Sequence, residues 1–276
     1  NLTSDGRNHF THTHDGAQPF KYGQPNPYVE AFFKWWESDL HKTLDELRIT
    51  GGEPLMSADC WKLFEWFKLN KGKSKTRLAV NSNLIVPDIT LTSLIQLSKD
   101  TPLDIYTSCE SVGKRAEYIR DGLDWKQWVT NVKALMNAES VRGLHVMCTI
   151  GALAMPDLHR FLSTLLEMRK GTDYLNFSLN ILRFPSFQSV CILPKEMRNE
   201  YADDLQGWLD RHTKELHPME ISHVERLIIY LRDIDSPHAG ASPTAALRED
   251  FRKFYSQYDE SRGKSFANTF PELENL

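Results

Sequence analysis

The residues best suited to chemistry sit in the run Leu47-Arg48-Ile49-Thr50-Gly51-Gly52-Glu53-Pro54-Leu55-Met56. Two glycines after a strand let the backbone turn sharply and let a ligand approach its amide and carbonyl groups. Glu53 supplies a carboxylate that can accept hydrogen bonds from an ammonium group. Pro54 fixes the exit into the next helix. An ordinary strand-to-helix turn accounts for the same peptide equally well. Further polar side chains recur at strand ends: Asn81 and Asn83, Ser108 and Glu110, Thr149, and Asn180. Ser108 and Glu110 are placed either to address a ligand or to shape a turn, and Arg115 either pairs with a carboxylate or forms a surface ion pair. Side-chain alternation predicts that Asn81 and Asn83 share one side of the sheet. A separate cluster, His9, His12, His14 and Asp15, has the donor types of a zinc site, the entry motif of a metal-dependent hydrolase. No later His or Asp set is placed to complete it, and a polar arm is the simpler account.

Apolar periodicity names the elements that must carry these residues. Helices are expected from Pro27, over Ser57–Leu69 with Ser57 as N-cap, and over 87–97, 124–136 and 156–168. Strands are expected at 46–50, 77–83, 103–108, 143–150 and 174–181. Strands at intervals of about thirty residues with a helix between each pair imply βαβ units and a parallel sheet. After Pro194 the pattern turns helical, over 195–213, 224–234 and 247–259. The expected organisation is a polar arm at 1–27, a partial (βα) barrel at 28–194, and a helical C-terminal extension at 195–276. In such a sheet, ligands bind at the C-terminal edge of the strands, where the polar residues named above gather. The Trp and Phe stripes, among them Trp35, Trp36, Trp61, Trp66, Trp125 and Trp128, are read as helix packing.

The net charge is −4, and charges of both signs are mixed along the chain. A nucleic-acid surface needs a concentrated basic field, so no nucleic-acid partner is expected. No apolar stretch reaches bilayer length, so no membrane partner is expected and the location is taken as cytoplasmic. Cys60, Cys109, Cys148 and Cys191 lie roughly forty to fifty residues apart. That spacing gives no zinc ribbon or local cluster motif, and the thiols read as buried small hydrophobes.

The strand-Gly-Gly-Glu-Pro-Leu run in its βα setting resembles the second-strand motif of radical SAM enzymes. The segment from Ser108 through Gly122, with Gly113-Lys114-Arg115-Ala116-Glu117-Tyr118-Ile119-Arg120, is similar to the fourth-strand exit of the twitch domain-containing radical SAM family. So are Asn180-Ile181-Leu182-Arg183-Phe184-Pro185, Ile192-Leu193-Pro194-Lys195, Asp259-Glu260-Ser261-Arg262-Gly263 and Phe270-Pro271-Glu272-Leu273. The resemblance spans roughly Glu46 to Leu273. It implies a partial barrel whose first strand is absent or unrecognised, and it implies S-adenosylmethionine as cofactor. Gly51, Gly52 and Glu53 would take the methionine ammonium, with Pro54 shaping the turn. Ser108 and Glu110 would face the ribose or carboxylate, and Arg115 the carboxylate. Asn81, Asn83, Thr149 and Asn180 complete the candidate rim.

The implied activity is radical modification of a peptide or small molecule, with an external electron donor and a [4Fe–4S] cluster. Two departures accompany it. Glu110 and Ser111 stand where the family has Asp and Gly. The CxxxCxxC cluster loop, which should precede Gly51, is absent, for no cysteine lies between Asn1 and Asp59. Two expectations follow: a sequence that starts just after the cluster loop of an ordinary radical SAM enzyme, or a degenerate paralogue that keeps a binding barrel without redox chemistry.

Overall fold

Short β-branched and leucine-rich runs separated by capped amphipathic helices give this chain an alternating βα order. The computed structural model describes residues 24–138, 140–169, 174–233 and 244–276. The helices are α1 (Pro27–Trp35), α2 (His41–Thr43), α3 (Ala58–Leu69), α4 (Asp88–Ser98), α5 (Gly113–Ile119), α6 (Trp125–Met136), α7 (Leu158–Arg169), α8 (Lys195–His212), α9 (Pro218–Asp233), α10 (Thr244–Arg262) and α11 (Phe266–Thr269). The strands are β1 (Glu46–Ile49), β2 (Arg77–Asn81), β3 (Leu103–Ser108), β4 (Gly143–Ile150) and β5 (Leu175–Ile181), in a parallel sheet of order β1-β2-β3-β4-β5. The expected α/β architecture with added C-terminal helices is present. Among the described residues no helix is long and apolar enough to cross a membrane. The His9, His12, His14 and Asp15 cluster lies outside the described residues.

The chain divides into two compact units, one with the described residues of 12–107 and 127–145, the other with those of 108–126 and 146–276. In the first unit, Leu47 pairs with Leu78 and Ile49 with Val80, while Leu78 and Val80 oppose Leu103 and Ile105. This register puts the apolar set on one face, where Leu78, Val80, Leu103 and Ile105 are wholly buried. Burying each such side chain contributes about 1.5–3 kcal/mol. The opposite face then receives Glu46, Arg48, Arg77, Ala79, Asn81, Asp104 and Tyr106 by period-two alternation. Helix α6 holds the apolar side: the Trp128 indole donates to Thr107 Oγ1 at 3.1 Å, and the buried Asn131 amide donates to the Leu84 carbonyl at 2.8 Å.

The second unit is built on β5 and the helices that follow it. Glu220 on α9 is buried and accepts from Arg169 Nη1 at 3.0 Å, from Arg169 Nη2, and from the backbone N–H groups of Phe177 and His217, each at 3.0 Å. The C-terminal tail is tied by Asp259, which accepts from the Tyr118 hydroxyl and from the Phe266 N–H, both at 2.6 Å. Around them Tyr118, Phe251, Tyr255, Phe266 and Phe270 pack ring on ring. That aromatic contact explains why Phe266 and Phe270 anchor a helix as short as α11.

Candidate functional site

The Gly51-Gly52 turn follows directly from the end of β1. Gly51 has φ +90° and Gly52 φ +47°, both exposed, and a Cβ built on either one meets no atom within 4 Å. The positive φ requires glycine, whereas the open space above it does not arise from packing. The backbone here is accessible to a ligand.

Glu53 is half-buried and caps the single 3₁₀ turn Pro54–Met56. Its Oε1 accepts the Leu55 N–H at 3.2 Å, and its Oε2 accepts the Asn83 N–H at 2.8 Å. The carboxylate therefore clips the exit of β1 to the exit of β2. A carboxylate has about four lone-pair sites, so two remain for a further donor. Pro54 is buried.

Strand β2 ends at Asn81, short of the expected 83. The reason is local side-chain chemistry: Ser82 Oγ accepts the Leu84 N–H at 3.0 Å and Asn83 Oδ1 accepts the Ile85 N–H at 2.8 Å. Such turns compete with the strand ladder, and Leu84 adopts φ 58° as a result. Asn81 is the last ladder residue, and its buried Oδ1 has no hydrogen-bond partner among the described residues. The orphaned acceptor is a candidate for a ligand donor. Asn83 instead belongs to the turn, so the alternation rule does not extend to it.

On the same polar face, Arg48 donates to the Tyr106 hydroxyl at 3.0 Å and lies 4.2 Å from the centre of the Tyr106 ring. The His145 ring stacks on Tyr106 with centroids 4.5 Å apart. Burial pushes the His145 pKa down, with Arg48 and Arg142 adding to the effect and Asp104 opposing it. Toward the strand starts, Arg77 pairs with Glu46 and reaches Asp104 at 3.4 Å. The sequence reading missed this layer. Its signal was the alternation Asp104-Ile105-Tyr106 and Leu144-His145-Val146 against buried neighbours.

In the second unit, Glu110 is buried and accepts from Arg120 Nε at 3.1 Å and Nη2 at 2.6 Å, with a backbone bond from Thr149. Burial raises its pKa, and Arg120 opposes that rise. Glu110, Arg120, Thr149, Gly151, Gln188 and Tyr255 line a cavity of about 300 Å³. Arg115 is held at 22% side-chain exposure by Glu272 at 2.9 Å, Asp157 at 3.4 Å and the Thr269 carbonyl at 3.0 Å. Those partners account for Arg115 as a strut between α5 and the C-terminal tail. Ser108 is half-buried at the end of β3, whereas Asn180 is exposed near the end of β5.

No family model matches the chain, and no curated protein matches it.

The cysteines do not fit an iron–sulfur cluster. Cys109, Cys148 and Cys191 are buried and all four thiols are free. Burial pushes the Cys109 pKa up to about 12 and that of Cys148 well above its usual value. A metal needs thiolate, and these positions oppose it. Among the described residues no group of three or more His, Cys, Asp or Glu side chains could hold a metal ion.

Proposed function

We propose that this chain binds S-adenosylmethionine, with the Gly51-Gly52-Glu53 turn receiving the amino-acid end of the nucleotide. One observation carries the reading. Two exposed positive-φ glycines stand over open space beside a carboxylate that two backbone N–H groups hold in place and that keeps acceptor capacity. Asn81 Oδ1, with no partner among the described residues, adds an acceptor in the same unit. The similarity of the strand-Gly-Gly-Glu-Pro-Leu run to radical SAM proteins supports the same ligand. Four free cysteines support a cytoplasmic location.

Radical modification of a peptide or small molecule is the chemistry this resemblance implies. It calls for a [4Fe–4S] cluster and an external electron donor, and the cysteines described above do not fit such a cluster. No reductive step is assigned to these residues. Their burial favours, as a second reading, a nucleotide-binding partner protein without redox chemistry.

Calorimetric titration tests the binding. S-adenosylmethionine is expected to bind at least tenfold tighter than 5′-methylthioadenosine, which lacks the amino-acid end, and Glu53→Gln narrows that ratio. Absence of nucleotide uptake, or equal affinity for both compounds, overturns the assignment.

A further inference from the structure

The described sheet ends at β5. The Leu182 N–H donates to the Ile150 carbonyl at 3.0 Å, toward β4. Because peptide groups alternate in direction along a strand, those of Phe177, Leu179 and Ile181 face the other edge, where no strand pairs among the described residues. An open edge is a template for another chain. Helix α9 covers its first part: Glu220 Oε1 accepts the Phe177 N–H at 3.0 Å, and Arg226 Nη2 donates to the Leu179 carbonyl at 2.5 Å.

Ile181 lies beyond that cover. There the surface opens into a cleft of about 590 Å³ lined by Asn180, Ile181, Arg183, Arg226, Tyr230 and Asp233. The Arg226 Nη2 group is used twice, on Leu179 and on His223 Nδ1 at 3.0 Å. Its Nε and Nη1 have no partner among the described residues, and Arg183 makes no hydrogen bond or ion pair among them. Among the described residues that line the cleft there are thus two guanidinium groups and one carboxylate, that of Asp233. Beside them Phe184 is 85% exposed and Ile229 59% exposed.

We infer that this cleft takes the C-terminal end of an extended peptide. The Ile181 peptide groups pair with the peptide backbone, and Arg183 and Arg226 hold its terminal carboxylate through charge-assisted bonds. Phe184 and Ile229 cover an apolar side chain. Asp233 disfavours a multiply charged phosphate. The open strand edge favours a peptide over a free small acid. The inference stands independently of nucleotide binding and is tested without nucleotide.

A pool of random five-residue peptides, prepared once as free acids and once as C-terminal amides, is equilibrated with the full chain by dialysis and read by mass spectrometry. Acids are expected to be retained at least tenfold over amides. Arg183→Gln, on an exposed side chain with no hydrogen bond or ion pair among the described residues, should lower that retention at least fivefold without changing the circular dichroism, and Arg226→Lys provides a second variant. Equal retention of acids and amides, retention of neither pool, or no effect of Arg183→Gln overturns the inference. So does displacement of retained acids by N-acetyl-leucine at equal concentration, which would mark a site for small carboxylates. A parallel titration with S-adenosylmethionine on the same sample reports the nucleotide proposal separately.

Discussion

Replacing Glu220 by Ala removes the acceptor that α9 gives to the Phe177 N–H at the edge of β5. The side chain is 1% exposed and its carboxylate accepts four donors, two of them from Arg169, itself 7% exposed. Among the described residues Arg169 keeps the Glu215 carbonyl at 3.1 Å, and its buried Nε has no partner among them. Removing one member of a buried ion pair costs about 3–5 kcal/mol. The Phe177 and His217 N–H groups also lose their acceptor, at roughly 1–3 kcal/mol each where water cannot reach them. The contributions overlap, so a loss of about 5 kcal/mol is expected. For a chain of this size that corresponds to a fall of about 10–20 °C in Tm. Urea unfolding followed by tryptophan fluorescence measures it, with the Arg169→Met, Glu220→Met double variant as comparison. The double variant leaves no uncompensated charge, only the orphaned N–H groups and the Glu215 carbonyl, so it should lose about half as much. The reasoning is refuted by a loss under about 1 kcal/mol for Glu220→Ala, or by equal losses for the two proteins.

Two further outcomes follow from ionisation. Glu110 has its pKa raised above 4.5 by burial, so the native state holds that proton more tightly than the unfolded chain. Stability should fall as pH rises from about 4.5 through the folded-state value, and Glu110→Gln should flatten that segment of the denaturant midpoint against pH. His145 has its pKa lowered below 6.5, mainly by burial, so the unfolded chain takes the proton first. Stability should decline as pH falls from 6.5 toward the folded-state value, and His145→Phe, which keeps a ring against Tyr106, should remove that part of the decline in thermal melts across pH.

The repeating elements were legible because each announces itself within a dozen residues. The strands 103–108 and 143–150 fall where alternation and β-branched content put them, and Ser57 caps α3 as its hydroxyl and position suggest. Ends were less legible where side chains bond to their own backbone. Asn83 reads as a strand residue by pattern and is a turn residue by hydrogen bonding. Helix α7 begins at Leu158, after a 3₁₀ segment that holds Pro156. Helix α5 was not foreseen, because a seven-residue helix rich in charged residues has little apolar period to read, and it leans on Glu272 and Asp259 far along the chain. The same holds for the candidate site. The glycine turn was visible as a peptide, whereas the clip from Glu53 to the Asn83 N–H joins residues thirty positions apart and has no local signature.

That clip also limits what the turn can do for a ligand. Glu53 remains partly open to solvent, so one charge-assisted bond from an ammonium to its free lone pairs contributes about 1.5–3 kcal/mol. A micromolar complex needs about 8 kcal/mol. The turn therefore supplies selection rather than bulk affinity. A difference of 1.5–3 kcal/mol between a nucleotide with the amino-acid end and one without it corresponds to roughly a 10- to 150-fold ratio in Kd. The larger share of affinity must come from adenine and ribose contacts elsewhere. Glu53→Gln then leaves a weaker but measurable complex, because the amide oxygen can still accept from one of the two backbone N–H groups while the charge is gone. The size of the ratio between the two nucleotides, more than the absolute affinity, reports whether this bend and its carboxylate act on the ligand at all.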